Sequence, residues 1–318
     1  MQNAPEPTNF FVTGGAGCIG SCMVDALLER GRVTVYDNFS SGRREFIQGH
    51  LASGSLKLCH ADVGDIPTLT KAMDSHDFVF HFAANPDIAR AVEDPSLDLR
   101  EGTLLTFNVL EAMRLNGIRK IVFPSGSGVY GDVGALPVCE DHGPLLPISM
   151  YGASKLACEA LISAYCHMFD MQAWIFRFAN VVGGRQTHGV AYDLIRKLKE
   201  EPKRLAILGD GKQSKSYIHV SDVIDAVLHI LDTCSEPINY YNIATDDYIN
   251  VRDIASTVVA EMGLANVEFL FAGGTRGWKG DVPVVRFDLG KIHARGWHAT
   301  LDSRQAIVRS IREMLGQE

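Results

Sequence analysis

The sequence predicts an α/β chain built on a doubly wound parallel sheet, and three observations carry that expectation. Short apolar runs of the kind buried on both faces alternate with helix-period segments through residues 1–179. The first run, Phe10 to Val12, leads into Gly14, Gly15, Gly17 and Gly20, and Met23, Val24, Ala26, Leu27 and Leu28 then recur at helical spacing. A chain of 318 residues, 46% hydrophobic and 21% charged, also has material for a substantial core in one large or two intimate domains.

The glycine turn between the first strand and helix is a cradle for a pyrophosphate. Absent side chains let phosphate oxygens reach the backbone, and the helix N-terminus offers unpaired N–H groups and a partial positive charge. Arg32 to Tyr36 forms the next strand, and Asp37 ends it about 20 residues on, completing a dinucleotide fingerprint. A carboxylate there accepts hydrogen bonds from an adenosine ribose and repels the extra phosphate of NADP, so NAD is the expected cofactor. Arg43 and Arg44, further along the polar loop, read as solvated charges.

Leu56 to Cys59 is the third strand, followed by Asp62-Val63, and Phe78 to Phe82 is the fourth. The fourth runs into Ala83, Ala84 and Asn85, small residues against which a flat cofactor can lie. His81, inside that apolar run, reads as a satisfied interior histidine. Thr103 to Leu115 is a helix stopped by Asn116-Gly117, and Ile118 to Phe123 is the next strand, left by Pro124 to Tyr130. Ser149 opens a long helix on which Tyr151 and Lys155, four apart, share a face. A free tyrosine is too weakly acidic to act as a base at neutral pH. A neighbouring ammonium and a cationic nicotinamide both favour the phenolate and move its pKa toward the working range.

Composition narrows the function classes. A formal net charge of −8 argues against general affinity for nucleic acid or anionic membrane. No uninterrupted apolar stretch is long enough to span a bilayer, and the opening MQNAPEPTNF has no basic segment followed by an apolar one. Seven cysteines occur without paired CxxC spacing; Cys18 and Cys22 share a helix face as small buried residues, so no metal site is expected and a reducing cytoplasm fits.

The order of glycine turn, Asp37, serine-bearing strand end and Tyr151-x-x-x-Lys155 resembles the extended short-chain dehydrogenase/reductase family, and within it the nucleotide-sugar epimerases and dehydratases. The matching text spans most of the chain: VTGGAGCIGS, VYDNFSSG, HFAAN, SGSGVYGD, YGASKLACE, FRFANVVGGRQ, LGDGKQSKSYIHVSDV and RGWKGDVP. It looks most like the UDP-sugar 4-epimerases of the UDP-glucose/UDP-galactose type. The resemblance implies an NAD-binding Rossmann domain over 1–179, with 217–246 returning to it. A smaller C-terminal α/β domain over 180–318 would bind the nucleotide sugar.

By the same resemblance, NAD lies along Gly14, Gly17, Cys18, Ile19, Gly20, Asp37, Asn38, Asp62, Val63, Phe82, Ala83 and Ala84, with Tyr151 and Lys155 at its nicotinamide end. Tyr151 would take the proton from the sugar 4-hydroxyl while C4 gives a hydride to NAD. The 4-keto sugar then turns, and the hydride returns to its other face. Lys155 would hold the nicotinamide ribose and keep Tyr151 acidic. The family's Ser or Thr four residues before Tyr130 is Gly126 here, leaving Ser125 or Ser127 to meet the 4-oxygen; Ser125 is preferred because the strand end should point it inward. The family's Asn three residues before a Gly-Thr pair is Leu99, so that cofactor-side contact is expected to be missing.

Substrate contacts are expected at Asn85, Ser125, Gly126, Ser127, Tyr151, Asn180, Arg185, Lys215, Arg276 and Asp281. Lys215 stands for an Arg at the diphosphate, keeping the charge without bidentate geometry, and Lys279 rivals Arg276 for phosphate. Val285, with Gly126 and Gly128, leaves room for an N-acetyl group or a C6 carboxylate. Ser127 and Gly128 occupy the places of the Asp-Glu pair of family 4,6-dehydratases, and no carboxylate in that loop precedes Asp132, which disfavours elimination. A nucleotide-sugar dehydratase, decarboxylase or reductase is the alternative enzyme, and a non-catalytic NAD-binding member the alternative of another class.

Towards the C-terminus, Lys197, Lys199, Lys203 and Arg204 read as a solvated helix end, Ser221 or Asp222 as a helix cap, and Asp302 to Leu315 as a final amphipathic helix. The resemblance further implies a homodimer in which the helices at Gly102 to Asn116 and Ser149 to Phe169 form a four-helix bundle. Leu104, Leu105, Leu161 and Ile162 are its candidate apolar contacts.

Overall fold

The computed structural model describes residues 7–317. Thr8–Thr13, Gly31–Asp37, Leu56–His60, Phe78–His81, Lys120–Gly126, Gln172–Phe178 and Ile238–Ile243 form one seven-stranded sheet in which every neighbouring pair is parallel. From one edge to the other the order is Ile238–Ile243, Gln172–Phe178, Lys120–Gly126, Phe78–His81, Thr8–Thr13, Gly31–Asp37, Leu56–His60. The direction of winding therefore reverses between Thr8–Thr13 and Phe78–His81, and a sheet of this kind takes its ligand in the crevice beyond those carboxyl ends. This is the doubly wound α/β architecture expected from the sequence.

Strand alternation sorts the core. Phe11 and Val12 are neighbours that point to opposite faces, and both are fully buried. Phe11 packs with Val79, Met113, Ile121 and Ile175 on one side, and Val12 with Val24, Leu27, Phe80, Phe176 and Val227 on the other. A third core, with Leu194, Leu198, Leu205, Ile254, Val258 and Ile307, is built by the helices Val190–Glu200, Val251–Glu261 and Ser303–Leu315 and the strand Arg204–Ile207. The last helix carries a capping box between Asp302 and Gln305. Among the described residues no helix is long and apolar enough to cross a membrane.

Several boundaries differ from the sequence expectation, each for a tertiary reason. The strand expected at Ile118–Phe123 runs instead from Lys120 to Gly126, where Ser125 and Gly126 stay in register with Arg177 and Phe178. The helix expected from Thr103 is preceded by a π-helical stretch, Leu99–Leu104, and becomes α-helical at Leu105–Leu115. His219, not Ser221 or Asp222, caps the helix Val220–Thr233: its ring accepts from the Ser221 N–H. The Asp222 carboxylate is held elsewhere, by the Thr300 hydroxyl and the Thr300 and Leu301 N–H groups. Ile162 lies wholly inside the core with Phe11 rather than on an outer face.

Candidate active site

The glycine turn is shaped by close backbone approach. Gly14 has φ of +67°, and a Cβ there would stand 2.6 Å from the Ala83 nitrogen. At Gly20 a Cβ would collide with the Gly14 carbonyl oxygen, so the helix Cys18–Leu28 can begin only against bare backbone. No side chain caps that helix at Gly17, which leaves its first N–H groups available to an anion. Asp37 accepts from the Ala16 N–H at 2.9 Å with one carboxylate oxygen and from the Phe39 N–H at 2.8 Å with the other. Those bonds fix its orientation, and lone pairs remain for ribose hydroxyls. Asn38 donates to Asp62 at 2.6 Å, joining the ends of two neighbouring strands. The bare glycine cradle, the uncapped helix and the anchored carboxylate fit NAD.

All of the residues expected to touch the cofactor line one cleft of about 1320 Å³: Gly14, Gly17, Cys18, Ile19, Gly20, Asp37, Asn38, Asp62, Val63, Phe82, Ala83, Ala84, Tyr151 and Lys155. Pockets for one small ligand run to about 300–1,000 Å³, so this space suits a dinucleotide together with a second ligand. Leu99 is half exposed and off the cleft wall, whereas Leu105 and Asn108 line it. Asn108, whose amide donates to the Val63 carbonyl at 3.3 Å, was not foreseen because its place depends on the π-helical offset before it. His81 is the interior histidine expected. Its ring lies between the hydroxyls of Thr13 and Thr106 at 2.7 and 3.1 Å, and burial pushes it down to about 3.

Ser149 caps the helix Met150–Phe169 by accepting from the Gly152 N–H at 3.0 Å, and the first turns of that helix carry Tyr151 and Lys155 into the cleft. The Lys155 ammonium is buried, donates to the Pro124 carbonyl at 2.8 Å and lies 5.6 Å from the centre of the Tyr151 ring. Burial lowers the Lys155 pKa, opposed by Cys158, Glu159 and Asp98. Burial pushes the Tyr151 phenol up to about 12, with Asp98 and Cys158 acting in the same direction, so the acidification expected of this pair has to overcome that burial.

The two serines divide. Ser125 lines the cleft as well, but its hydroxyl is engaged, donating to Glu159 Oε1 at 2.5 Å. Glu159 pairs with Arg177 at 2.7 Å, and Arg177 donates to Tyr130 at 3.0 Å and to the Glu140 carbonyl at 2.9 Å. Ser127 begins the 3-10 turn Ser127–Tyr130 on the cleft wall, and among the described residues nothing pairs with its hydroxyl. Both serines line the cleft, and they differ in that the Ser125 hydroxyl is engaged by Glu159 while the Ser127 hydroxyl is not. Asn85 also lines the cleft, with its amide donating to Asp98 at 2.9 Å and to the Asp87 carbonyl at 3.0 Å.

At the far end, Asn180, Lys215, Asp281 and Val285 line the cleft, and Lys215 binds Asp281 at 2.6 Å. Arg185 and Arg276 do not line it. Arg185 pairs with Asp25 of the first helix at 2.8 Å, and Arg276 pairs with Asp132 at 2.6 Å and the Asp281 carbonyl at 2.7 Å. Lys279 is exposed and also off the wall. Gln213 was missed: it is buried on the cleft wall, and neither its amide oxygen nor its nitrogen has a partner among the described residues. Its signal was present two residues before Lys215 in GDGKQSK.

The family model described as the NAD dependent epimerase/dehydratase family matches residues 10–244. A UDP-glucose 4-epimerase of Mycolicibacterium smegmatis is 33% identical over 258 residues, covering 79% of this chain and 82% of its own. A solved UDP-galactose 4-epimerase is 37% identical with a TM-score of 0.87, covering 98% of this chain and 99% of its own. The UDP-glucose 4-epimerase of Thermus thermophilus, solved with NAD, is 31% identical with a TM-score of 0.85, covering 98% of this chain and 100% of its own.

Proposed function

The chain belongs to the NAD dependent epimerase/dehydratase family, and from that premise we propose that it is a UDP-sugar 4-epimerase. Its substrate class is UDP-glucose/UDP-galactose or the corresponding N-acetyl or uronic acid sugars. The observation that carries the proposal is the sharing of one cleft by the glycine turn, Asp37, Tyr151, Lys155, Ser127 and the Lys215–Asp281 pair. The sheet would be the cofactor domain and the part from residue 180 the nucleotide-sugar domain, with Ile238–Ile243 returned to the sheet edge.

Gly14, Gly17 and the uncapped helix would hold the pyrophosphate, Asp37 the adenosine ribose and Lys155 the nicotinamide ribose. When bound, NAD supplies a reversible hydride acceptor for sugar C4 and a cationic ring that favours the phenolate. Tyr151 holds and moves the proton at the 4-oxygen, taking it as the alcohol is oxidised and returning it as the ketone is reduced. Ser127 offers a hydrogen bond to the same oxygen. Lys215 would meet the diphosphate and Asp281 the uridine ribose, so the remote nucleotide stays anchored while the hexose turns. Elimination needs an acid and a base beside C5 and C6. The loop from Ser127 has no carboxylate before Asp132, and Asp132 is tied to Arg276.

A homodimer through the helices Leu105–Leu115 and Met150–Phe169 completes the proposal, supported by the exposure of Phe107, Leu115, Met150 and Met168 on those helices. All seven cysteines are free thiols, which suits a reducing cytoplasm. The test is a panel of UDP-glucose, UDP-N-acetylglucosamine and UDP-glucuronic acid followed by NMR, with Tyr151→Phe in parallel. The expected product is a C4 epimer with no loss of water or carbon dioxide and no net NADH consumption, and Tyr151→Phe should keep NAD but lose turnover. Release of water or carbon dioxide, or full turnover by Tyr151→Phe, overturns the assignment.

A further inference from the structure

Away from the cleft, Asp246, His293 and His298 come together from three separate segments. Asp246 lies just beyond the edge strand Ile238–Ile243, His293 ends the short helix Gly290–His293, and His298 stands in the segment leading to the last helix. One ligand atom from each lies within 4.8 Å of the other two. The two imidazoles stack with centroids 4.1 Å apart and planes 27° apart. His293 Nε2 is buried without a hydrogen-bond partner among the described residues, and the Asp246 carboxylate faces it at 3.5 Å. That separation is long for a hydrogen bond. It is close to the distance of about 3.3 Å that two donors adopt when each is bound about 2.05 Å from a tetrahedral zinc ion.

We propose that Asp246, His293 and His298 bind one divalent transition-metal ion of borderline softness, zinc foremost, which ties the edge-strand loop to the chain entering the last helix. Two imidazoles and one carboxylate select such ions over magnesium or calcium, which prefer all-oxygen shells. Both Asp246 and His298 are exposed, so their donors can close on an ion bound at the more buried His293. The loop held in this way also matters locally. Asp247, the next residue, accepts from the Ser303 N–H at 2.8 Å through its carboxylate, so an ion at Asp246 would brace the start of the last helix.

The test uses untagged full-length protein, stripped with chelator and titrated with zinc chloride by calorimetry and by thermal melting. One equivalent should bind saturably and raise the melting temperature, while magnesium chloride should do neither. His298→Ala and Asp246→Asn should melt like the parent without metal. Each should weaken zinc binding at least about tenfold, the scale on which even outer-shell partners act. Absence of a saturable equivalent in the parent overturns the proposal. So does undiminished zinc binding in both variants, which would place the ion on other side chains such as the cysteines.

Discussion

Removing one hydroxyl at a time from Ser125 and Ser127 separates folding from chemistry. Ser125→Ala deletes a hydrogen bond to a charged acceptor, the 2.5 Å contact with Glu159. Bonds of that kind contribute about 1.5–3 kcal/mol. Glu159 keeps three contacts with Arg177, at 2.7, 3.1 and 3.3 Å, so the cost should sit near the lower end, about 1.5–2 kcal/mol. That lowers the melting temperature by a few degrees and leaves turnover nearly intact. Ser127→Ala strands no buried partner, so stability should change by less than about 0.5 kcal/mol. If its hydroxyl faces the 4-oxygen as the charge there changes, kcat should fall about 10²–10³-fold, equivalent to about 2.7–4 kcal/mol of transition-state stabilisation. The assay pairs kcat for UDP-sugar epimerisation with scanning calorimetry on each variant. Lost turnover in Ser125→Ala beside full turnover in Ser127→Ala would refute the assignment.

Gly126 offers a complementary gain-of-function test, because its φ of −162° is extended and a Cβ there would meet only the Phe178 carbonyl oxygen, at 3.8 Å. Adding Gly126→Ser to Ser127→Ala should restore much of the lost kcat, and no recovery would show that the neighbouring position cannot reach the substrate. His81 should make the fold acid-sensitive: its folded pKa, about 3, lies below the ordinary 6.5. Its contribution is therefore complete above pH 6.5 and shrinks as pH falls toward 3, by about 1.4 kcal/mol per pH unit at most. Urea midpoints measured at neutral and mildly acidic pH should fall less for His81→Asn than for the parent, and equal falls would reject the assignment. The ligand-free Tyr151 phenol should titrate near 12. In the ultraviolet difference between parent and Tyr151→Phe, NAD should lower that pKa; an unmoved titration would remove charge from the nicotinamide ring as the means of activation.

The cofactor half was legible in the sequence because its chemistry belongs to the backbone. Glycine spacing, a strand before it, a helix after it and an acid at the next strand end are local features, and Gly14, Gly20 and Asp37 stand where those features require. Side-chain direction was less legible. Ser125 faces Glu159, 34 residues away. The strand expected to stop at Phe123 continues to Gly126, and Ser125 near its end lines the cleft while its hydroxyl is taken up by that buried carboxylate. Arg185 and Arg276 were placed by motif text, yet each is held by an acid distant in sequence, Asp25 and Asp132. Long cations reach whichever carboxylate the tertiary fold presents, and spacing along the chain does not encode that choice. The helix cap failed likewise: Asp222 is drawn away by Thr300 and Leu301 on a segment 78 residues on.

The two halves of the cleft also differ in how ready they are to bind. On the cofactor side the groups that would meet the ligand are glycine backbone and uncapped N–H groups, and Asp37 is fixed by two N–H donors without using all its lone pairs. Little reorganises there on binding, and preorganisation of that kind favours affinity. On the substrate side the polar groups already have protein partners: Lys215 is paired with Asp281, and the Asn85 amide donates to Asp98. Under the proposed roles a diphosphate and a ribose would replace the Lys215–Asp281 contact with equivalent ones, so the gain from each new bond would be offset by the bond it displaces. A reaction that returns its hydride in every cycle needs this asymmetry. The dinucleotide has no reason to leave, whereas the sugar nucleotide must enter, turn and depart, and an internally satisfied substrate half keeps that exchange from becoming too tight.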